Sequence, residues 1–486
     1  MPKTYLACDL GAESGRIISG RLQDGRLRLE EIHRFANTPQ RTSHGLIWNF
    51  HGLLSEIQKG LAFAAQRHSS IDGISTDSWG VDYVFLDNDG RFIEPVYHYR
   101  DERSIRGVAH VQNRLTKAEI FAETGIQFMP INTLYQLGSE SADRLNQAHS
   151  FLGVADAVNF WMSGVLCAEE SLASTFQLFN PKSRQWSSRI WNAMAWPERI
   201  LPKVVPSGTV LGSINPALSL ATGLGRPQVL ATCSHDTGAA VLAVPAAGSH
   251  WAYLSSGTWS LIGVECREPI LTERCRELNF TNELGYGGTV RLLKNIVGLW
   301  MVQECRRAWA VNGMPLDYDE ITRIAEAAKP FIAIINPADP RFVEPGNMPQ
   351  KIIDLCLETG QQPPANQGET IRIILESLAL LYSRTLNQLE ELTDQSINVL
   401  HIVGGGSRNH LLNQFAANAT GRQVVAGPVE GTAAGNLLVQ AITLGEISGA
   451  AEARQIMRAS TELVNYVPEQ TTRWTQAAER FNSLFP

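Results

Sequence analysis

The amino-acid sequence predicts an α/β protein made of two related domains. At 486 residues the chain is longer than one hydrophobic core usually supports, so two domains are expected. Each half contains strand-like segments that flank a glycine-rich turn, and amphipathic segments with helical spacing follow them. We expect an N-terminal domain over residues 1–244, a C-terminal domain over residues 245–486, and a tight hinge near residues 242–248.

Alternating apolar and polar residues predict a sheet in the first half of the chain. The predicted strands are residues 4–8, 16–22, 27–32, 71–76 and 81–86. The turns at Gly11–Gly15 and Asp24–Gly25 have the composition of hairpin connections. A helix is expected from Gly52 to Arg67, where apolar residues recur at helical spacing. These elements favour a mixed sheet that carries helices.

The rest of the chain is less uniform. Residues 95–197 are rich in aromatic residues, and we interpret them as an elaboration of the first domain. The proline-containing residues 202–216 are predicted to form a surface connection. Residues 249–264 again predict strand, turn and strand, a pattern that echoes residues 4–22. The further predicted elements are strands at 399–403 and 423–426 and helices at 369–392, 410–418 and 432–444.

Composition excludes several classes of function. The net charge of −7 and the pI of about 5.9 give no electrostatic footprint for DNA or RNA. No apolar run approaches the roughly 20 residues that span a bilayer, and Asp9 within the first apolar segment argues against a secretory signal. The seven cysteines are scattered without a C-x-x-C pair, so reduced, mostly buried thiols are expected. We expect a cytoplasmic protein without nucleic-acid or membrane partners, either a monomer or a weak homo-oligomer.

The stretch Ala231–Ala240 combines small residues with a single His235-Asp236-Thr237 triplet. It follows an apolar run and predicts a buried loop that presents a carboxylate to a ligand. A phosphoryl acceptor hydroxyl must lose its proton, and a positioned aspartate serves as that base. The ordinary alternative for Asp236 is a cap or a salt-bridge partner, and for His235 it is a structural role.

Two glycine-rich turns have the composition of phosphate-binding loops. Turns between strands aim several backbone N–H groups at one point, and such groups hold anions. Gly11–Arg16 and Ser255–Thr258 are the candidates, and an ordinary hairpin is the alternative for each. Their occurrence in two similar halves favours phosphate binding. Asp9 lies two residues before Gly11 and is a candidate ligand of Mg²⁺, which prefers few carboxylates and retained waters.

A third glycine-rich turn, Gly404–Asn409, follows a predicted strand and opens a helix, which suits nucleotide binding at a helix N-terminus. A dinucleotide fingerprint is disfavoured because Asn409 replaces its last glycine, and no P-loop motif occurs. Gly80 and Asn295 lie in apolar surroundings, where polar contacts suit a small polyhydroxy ligand. A bend in the core is the alternative for both.

These stretches together resemble the FGGY family of carbohydrate kinases, which belongs to the actin-like ATPase superfamily. Further stretches that match the family are Asp77–Asp82, Gly125–Phe128, Asn132–Leu137, Leu293–Gln303, Leu400–Asn413 and Ala426–Glu430. The resemblance runs from residue 4 to about residue 470, and no single motif carries it.

The resemblance implies two actin-like (ribonuclease H-like) ATPase domains with an interdomain cleft. The N-terminal domain would bind the sugar and carry the first phosphate loop and the Asp236 loop. The C-terminal domain would carry the second phosphate loop and bind adenosine. The implied reaction transfers the γ-phosphoryl of ATP, together with Mg²⁺, to O1 of L-rhamnulose and gives L-rhamnulose 1-phosphate in L-rhamnose catabolism.

The resemblance also assigns residues to this reaction. Asp236 would be the general base that deprotonates the sugar hydroxyl. The residues that would contact the sugar are Gly80, His235, Asp236, Thr237 and Asn295. The residues that would contact ATP are Ala12, Glu13, Ser14, Gly15, Arg16, Thr258, Gln303 and Gly405. Glu13 departs from the family pattern, which has serine there, and its carboxylate would have to point away from phosphate.

Other functions are compatible with the same sequence. Another ketose or polyol kinase, acting on L-fuculose or xylulose, would share the fold, because substrate choice depends on the site. A non-catalytic sugar- or nucleotide-binding regulator is an alternative from a different class, and sugar-dependent ADP release would distinguish it. A dinucleotide-dependent oxidoreductase would require NAD(P) binding.

Overall fold

The computed structural model describes residues 3–486 and divides into two compact units. The first unit comprises the chain up to Ala243 together with Glu265–Leu292 and Gly431–Ser460. The second comprises Val244–Val264, Leu293–Glu430 and Thr461–Pro486. Each unit is therefore assembled from separate parts of the sequence. The division into residues 1–244 and 245–486 stays a prediction.

Strands and helices alternate along most of the chain. The strands are β1 (Thr4–Leu10), β2 (Ser14–Gln23), β3 (Arg26–Ala36), β4 (Gln40–Thr42), β5 (Gly45–Trp48), β6 (Gly73–Ser78), β7 (Tyr83–Leu86), β8 (Phe92–Ile93), β9 (Val96–Tyr97), β10 (Ser150–Gly153), β11 (Ala168–Glu169), β12 (Phe179–Asn180), β13 (Gln185–Trp186), β14 (Val204–Val205), β15 (Thr209–Ser213), β16 (Gln228–Ala231), β17 (Trp251–Ser256), β18 (Trp259–Cys266), β19 (Thr281–Leu284), β20 (Val290–Val297), β21 (Val399–Val403), β22 (Gln423–Ala426) and β23 (Val464–Tyr466). The helices are α1 (Phe50–Arg67), α2 (Arg103–Gln112), α3 (Lys117–Thr124), α4 (Thr133–Leu137), α5 (Ala142–Gln147), α6 (Val154–Ser163), α7 (Glu170–Ala173), α8 (Ser188–Met194), α9 (Pro216–Thr222), α10 (Asp236–Leu242), α11 (Glu273–Glu277), α12 (Trp300–Val311), α13 (Tyr318–Ala327), α14 (Met348–Glu358), α15 (Gln367–Thr393), α16 (His410–Thr420), α17 (Gly431–Thr443), α18 (Ala450–Ser460) and α19 (Thr471–Leu484).

A six-stranded sheet forms the centre of the first unit, with the strand order β15–β16–β6–β1–β2–β3. Strands β1, β6 and β16 are parallel, and β2 pairs antiparallel with both β1 and β3. Helix α1 packs on this sheet because residues such as Leu53 and Ile57 recur on one face and are buried. The side chain of Asn49 caps α1 by accepting a hydrogen bond from the N–H of Gly52 at 3.0 Å. The helix therefore begins at Phe50, slightly earlier than predicted.

The prediction that residues 202–216 form only a surface connection is wrong. Strand β15 lies in this segment and pairs antiparallel with β16 at the edge of the sheet. The pairing is irregular between Val210 and Gly212, and Val210 is 47% exposed. An edge strand with a bulge and an outward apolar side chain lacks the regular alternation that identifies strands in a sequence.

Two predicted element boundaries are also corrected. The loop after β16 ends at His235, and Asp236 is the first residue of α10 instead of lying within a loop. The alanines and Gly238 that suggested a loop are buried in this helix, where their small size permits close packing. The strand expected at 81–86 begins only at Tyr83, because Val81 has a left-handed φ of 67° that interrupts an extended chain.

The second unit repeats the local topology of the first. The antiparallel hairpin β17–β18 lies beside the parallel strand β21, as the hairpin β1–β2 lies beside β6. Strand β22 continues the parallel part, and β23 closes it antiparallel. The long helix α15 packs against α13 and α16. The expected echo between residues 4–22 and 249–264 is therefore present as a shared strand arrangement.

Two further observations concern the chain as a whole. Among the helices within residues 3–486, none combines the length and the apolar character needed to cross a membrane. All seven cysteines are free thiols, and only Cys266 is not fully buried.

We predict that Gly435→Ala lowers the free energy of unfolding by about 1–3 kcal/mol. A Cβ atom at position 435 on α17 would lie 1.8 Å from the carbonyl oxygen of Ala239 on α10, so the two helices must separate. Urea unfolding followed by far-UV circular dichroism measures the change. The control is Thr432→Ala at a half-buried position of the same helix, expected to stay within about 0.5 kcal/mol of the wild type. Equal stability of both variants would show that α10 and α17 have room at this contact.

Candidate active site

Polar residues converge at the carboxyl ends of the parallel strands β1, β6 and β16. Asp9 near the end of β1 is the register partner of Asp77 on β6. The last residue of β6, Ser78, bridges to His235 beyond β16, and its N–H donates to the carbonyl of Ser234 at 2.9 Å. Ligands of open α/β sheets bind outside this edge of the sheet. The structure therefore brings the two sequence-predicted candidates Asp9 and Asp236 to the same edge of the first unit.

The carboxylate of Asp236 is about one-third exposed and is held by its neighbours along the chain. The side chain is 31% exposed. Its Oδ1 atom accepts hydrogen bonds from the Thr237 N–H and from the Thr237 hydroxyl, the latter at 2.9 Å. Nε2 of His235 lies 3.4 Å from the same oxygen. All three groups of the sequence triplet therefore lie at one oxygen of Asp236, which Thr237 holds by two hydrogen bonds.

His235 is connected to a buried ion pair that the sequence analysis missed. Nη2 of Arg291 lies 3.0 Å from Nδ1 of His235, and the carboxylate of Glu283 lies 3.3 Å from Nδ1. Arg291 and Glu283 are 3.2 Å apart. Burial opposes ionisation of Glu283, but the contact with His235 and the charge of Arg291 hold its pKa below the ordinary value. The sequence signal that could have identified this pair is the presence of charged residues at buried positions of β19 and β20.

The backbone of the loop before Asp236 is hydrogen-bonded to Glu169, which is fully buried. Its carboxylate accepts hydrogen bonds from the N–H of Ser234 at 3.0 Å and from the hydroxyls of Ser171 and Ser207, both at 2.5 Å. Burial raises the pKa of Glu169, although these donors act against the shift. Because a buried carboxylate is costly unless its oxygens are satisfied, this network fixes the path of the loop.

Asp77 is a second acid at this edge, and the sequence analysis gave it no role of its own. It is fully buried, and its Oδ2 accepts a hydrogen bond from Asn436 on α17 at 2.6 Å. Its Oδ1 has no hydrogen-bond partner among residues 3–486. Burial raises the pKa of Asp77 well above its ordinary value, and the nearby charges of Asp9 and Asp236 add to the shift. The end of a buried strand beside Asp9 was the signal that identifies it.

The donor set at this edge fits a divalent cation of the Mg²⁺ type. Asp9 is ion-paired with Arg16 across the β1–β2 hairpin, and Asp77 brings a buried oxygen without a partner beside it. No group of three or more His, Cys, Asp or Glu residues that could hold a metal occurs in residues 3–486. Mg²⁺ does not require such a cage, because it keeps waters and binds through one or two carboxylates plus substrate phosphates.

The turn between β1 and β2 is braced for a fixed backbone conformation. The N–H of Gly11 donates to the carbonyl of Ser14 at 2.9 Å. Asn37 holds the turn from the end of β3, because its N–H donates to the carbonyl of Glu13 and its side chain donates to that of Gly11, both at 3.0 Å. The Glu13 side chain is exposed, whereas Ala12 and Ser14 are half-buried. The five predicted ATP contacts from Ala12 to Arg16 therefore lie on one rigid hairpin.

Gly80 lies in a bend that the structure specifies tightly. A Cβ atom there would lie 2.9 Å from the hydroxyl oxygen of Thr175. The carbonyl of Val81 accepts a hydrogen bond from the Thr133 hydroxyl at 2.6 Å. Asp82 then accepts the indole N–H groups of Trp48 at 2.7 Å and Trp79 at 2.9 Å. This buried carboxylate anchors the bend, and sequence reasoning did not identify its part.

In the second unit, Thr258 and Gln303, two of the predicted ATP contacts, lie close together. Their side chains are 3.4 Å apart. The carbonyl of Thr258 accepts hydrogen bonds from the N–H groups of Gly298 and Trp300, both at 3.1 Å, and these bonds hold the start of α12 next to the turn. Asn295 precedes this connection on β20 and is half-buried.

Gly405 lies in the turn Gly404–Asn409, where the glycines are under different structural constraints. Gly404 has a φ of 84°, and a Cβ atom at Gly406 would lie 2.0 Å from the hydroxyl oxygen of Ser256. Gly405 has neither constraint, because a Cβ atom there would meet nothing within 4 Å. Open space above a backbone with ordinary φ is the geometry that admits a close-lying flat ligand. Asn409 then caps α16 by accepting the N–H of Leu412 at 3.0 Å.

A carboxylate beside two buried acids, with rigid glycine-rich turns in repeated topology, defines the class of phosphotransferases that act by positioning and electrostatics. The comparisons with known proteins agree. Residues 4–243 match the N-terminal domain of the FGGY family of carbohydrate kinases, and residues 252–444 match its C-terminal domain. The chain belongs to the FGGY family of carbohydrate kinases.

Relatives and solved structures extend this result. A rhamnulokinase of Bacteroides thetaiotaomicron is 40% identical over 99% of both chains, and a rhamnulokinase of Bacillus subtilis is 37% identical over 97% of this chain and 96% of its own. A xylulose kinase of Lactobacillus acidophilus superposes with a TM-score of 0.80 at 16% identity, covering 100% of this chain and 96% of its own. A Plasmodium falciparum glycerol kinase with ADP superposes at 0.78 and 12% identity, covering 99% and 98%.

These findings confirm two predictions and the coarser part of a third, the use of a divalent metal ion. The chain has the actin-like ATPase fold with mixed α and β content. It is an enzyme, a carbohydrate kinase whose substrates are a sugar and ATP. Kinases of this family are ATP-dependent and generally use a divalent metal ion.

We predict that Asp82 makes the stability of the protein pH-dependent. Burial raises the pKa of Asp82 to about 6, although four hydrogen-bond donors oppose the shift. The folded state thus binds this proton more tightly than the unfolded chain, whose aspartate titrates near pH 4. The stabilisation is complete below about pH 4 and is lost as the pH rises through about 6.

Asp82→Asn removes this titration and serves as the reference. The unfolding free energy of the wild type minus that of the variant should fall by about 1–3 kcal/mol between these two pH values. Urea unfolding at several pH values measures it, and shifts of other groups cancel in the difference. A difference that is constant with pH would contradict the raised pKa.

Proposed function

We propose that this chain transfers the γ-phosphoryl group of ATP to O1 of L-rhamnulose, giving L-rhamnulose 1-phosphate and ADP. The choice of substrate is supported by the end-to-end similarity to a relative named rhamnulokinase, which is 40% identical over 99% of both chains. The proposed proton transfer is supported by the partly exposed Asp236 carboxylate, which lies at the carboxyl edge of the parallel strands. The proposed reaction belongs to L-rhamnose catabolism. We further propose that the protein is cytoplasmic, is a monomer or weak homo-oligomer and has no nucleic-acid partner.

The proposed base is Asp236. With Oδ1 held by Thr237 and faced by His235, Oδ2 takes up the proton of the sugar's 1-hydroxyl as its oxygen forms a bond to the γ-phosphorus. The bond from that phosphorus to the bridging oxygen of ADP breaks, and ADP leaves with the electron pair. Positioned proton transfer of this kind accelerates a reaction by about 10²- to 10⁴-fold.

Asp9 and Asp77 would hold Mg²⁺. Bound there, the ion neutralises charge on the phosphates of ATP. Arg16 holds Asp9 in place by their ion pair, and Asn436 orients Asp77. Asp77 joins Asp9 in this proposal because its buried Oδ1 atom has no hydrogen-bond partner within residues 3–486.

The remaining contacts follow from the same proposal. The hairpin residues Ala12–Arg16 and the turn at Thr258 would bind phosphates, with Gln303 beside Thr258. The open face of Gly405 would accept the adenine. Gly80, His235, Thr237 and Asn295 would contact the sugar. In this division the domain of residues 1–244 binds the sugar and the domain of residues 245–486 binds the adenosine.

The substrate is tested by coupled ADP release with Mg-ATP. The panel contains L-rhamnulose, L-fuculose, D- and L-xylulose, L-ribulose and glycerol, with a metal-free reaction as the blank. We expect saturable release with a strong preference for L-rhamnulose. A preference for another sugar would keep the kinase and replace the substrate, and release that does not depend on any sugar would refute both.

The base is tested by Asp236→Asn. We expect kcat to fall by about 10²- to 10⁴-fold because the amide cannot take up the proton, while calorimetry still detects sugar and ATP binding. The matched control is Asp24→Asn in the exposed β2–β3 turn, where asparagine tolerates the left-handed φ of 51°. Near wild-type turnover in the Asp236 variant would assign the base elsewhere.

A further inference from the structure

The buried pair Arg291 and Glu283 has no part in the steps of the proposed reaction. Arg291 is fully buried, and its Nε and Nη2 donate to the carbonyl of Leu284 at 3.1 and 3.0 Å. Its Nη1 has no hydrogen-bond partner among the described residues 3–486. A buried guanidinium with an unsatisfied nitrogen costs stability, so its presence at this position requires an explanation.

The hydrogen bond between Arg291 and His235 can have only one direction. A guanidinium is always protonated and only donates hydrogen bonds. Nη2 of Arg291 lies 3.0 Å from Nδ1 of His235, so Nδ1 must be the accepting nitrogen. In a ring with a single proton, that proton is then on Nε2, which faces Oδ1 of Asp236 at 3.4 Å.

The opposite tautomer is disfavoured by the same geometry. A proton on Nδ1 would serve the Glu283 carboxylate at 3.3 Å, but it would point at the closer N–H of Arg291. It would also leave an unprotonated Nε2 facing the Asp236 carboxylate, lone pair against lone pair. The groups that face the ring are thus two carboxylates and one guanidinium. Of the two neutral tautomers, the one with its proton on Nε2 lets Nδ1 accept from Arg291 and lets Nε2 donate to Asp236.

We propose that Arg291, held by Glu283, is a positioning residue that fixes the His235 ring with its proton on Nε2, so that His235 orients the base Asp236. This inference rests on the proposed function in one respect, the role of Asp236. With Nε2–H directed at Oδ1, the donors to the carboxylate are concentrated on one oxygen. The other oxygen, Oδ2, keeps its proton-accepting capacity for the sugar hydroxyl.

The tautomer is measured directly by ¹⁵N NMR of the full chain labelled at histidine, at mildly alkaline pH. The His235→Asn spectrum identifies the His235 signals by their loss. We expect a protonated, pyrrole-type Nε2 and an unprotonated, pyridine-type Nδ1 in the wild type. A proton on Nδ1, or on both nitrogens, overturns the proposal without any variant of Arg291.

The kinetic arm uses the double variant Arg291→Met with Glu283→Gln, which removes both charges and leaves neither one buried alone. We expect mixed tautomers of His235 and a kcat lower by about 10- to 100-fold, with the KM for ATP unchanged. The matched control is Arg103→Met with Glu140→Gln, a second buried pair whose charged groups are 2.9 Å apart and to which the proposal gives no contact with sugar or ATP. This control should lower stability and leave the tautomer and kcat as they are.

The outcomes separate this inference from the proposed function. If the double variant keeps the wild-type tautomer and kcat while losing stability, Arg291 is only structural and the inference fails. If the wild type transfers phosphoryl to none of the sugars, the proposed function fails, and the ¹⁵N spectrum still decides the tautomer. If the double variant does not fold, the wild-type spectrum alone decides whether the proton is on Nε2, as proposed, or on Nδ1.

Discussion

The structure of the first unit depends on the desolvation of three buried carboxylates. Asp77, Asp82 and Glu169 are all buried, and burial raises the pKa of each. Such groups are costly unless donors satisfy them. Here the donors come from neighbouring residues and from distant segments alike: Asn436, two indoles and two serine hydroxyls. Satisfying these oxygens therefore fixes the loops that surround Asp236, which itself stays partly exposed.

Much of the fold was predictable because its signals are local. The β1–β2 and β2–β3 hairpins, helix α15 and the strand–turn–helix at residues 399–420 follow from alternation, helical spacing and turn residues that lie next to each other in the sequence. Strand β15 and the start of α10 were missed because their stability comes from partners elsewhere. β15 is defined by pairing with β16, and the alanines of α10 gain a reason for their size only when α17 packs on this helix.

The candidate site divides in the same way. Asp9, Asp236 and the glycine-rich turns stand out from their immediate neighbours, so they can be found in the sequence. Asp77 acquires its properties from Asn436, which lies 359 positions away, and Arg291 reaches His235 across 56 positions. Such pairs leave no periodicity or spacing in the sequence. Their identification required the tertiary structure, since a charged residue in a strand is informative only when its environment is known to be buried.

The contribution of α17 to the first unit has a consequence for how the polypeptide is completed. Asn436 binds Asp77, and Gln440 donates to the carbonyl of Leu6 at 2.8 Å, while α17 as a whole belongs to the first unit although the second intervenes in the chain. During synthesis, the ribosome must release nearly the entire chain before the buried acid of the N-terminal sheet is satisfied. A fragment cut after Ala243 would expose the face of α10 that α17 covers. The first unit, whose central strands are synthesised early, is thus completed only after its last part, Gly431–Ser460, has been synthesised.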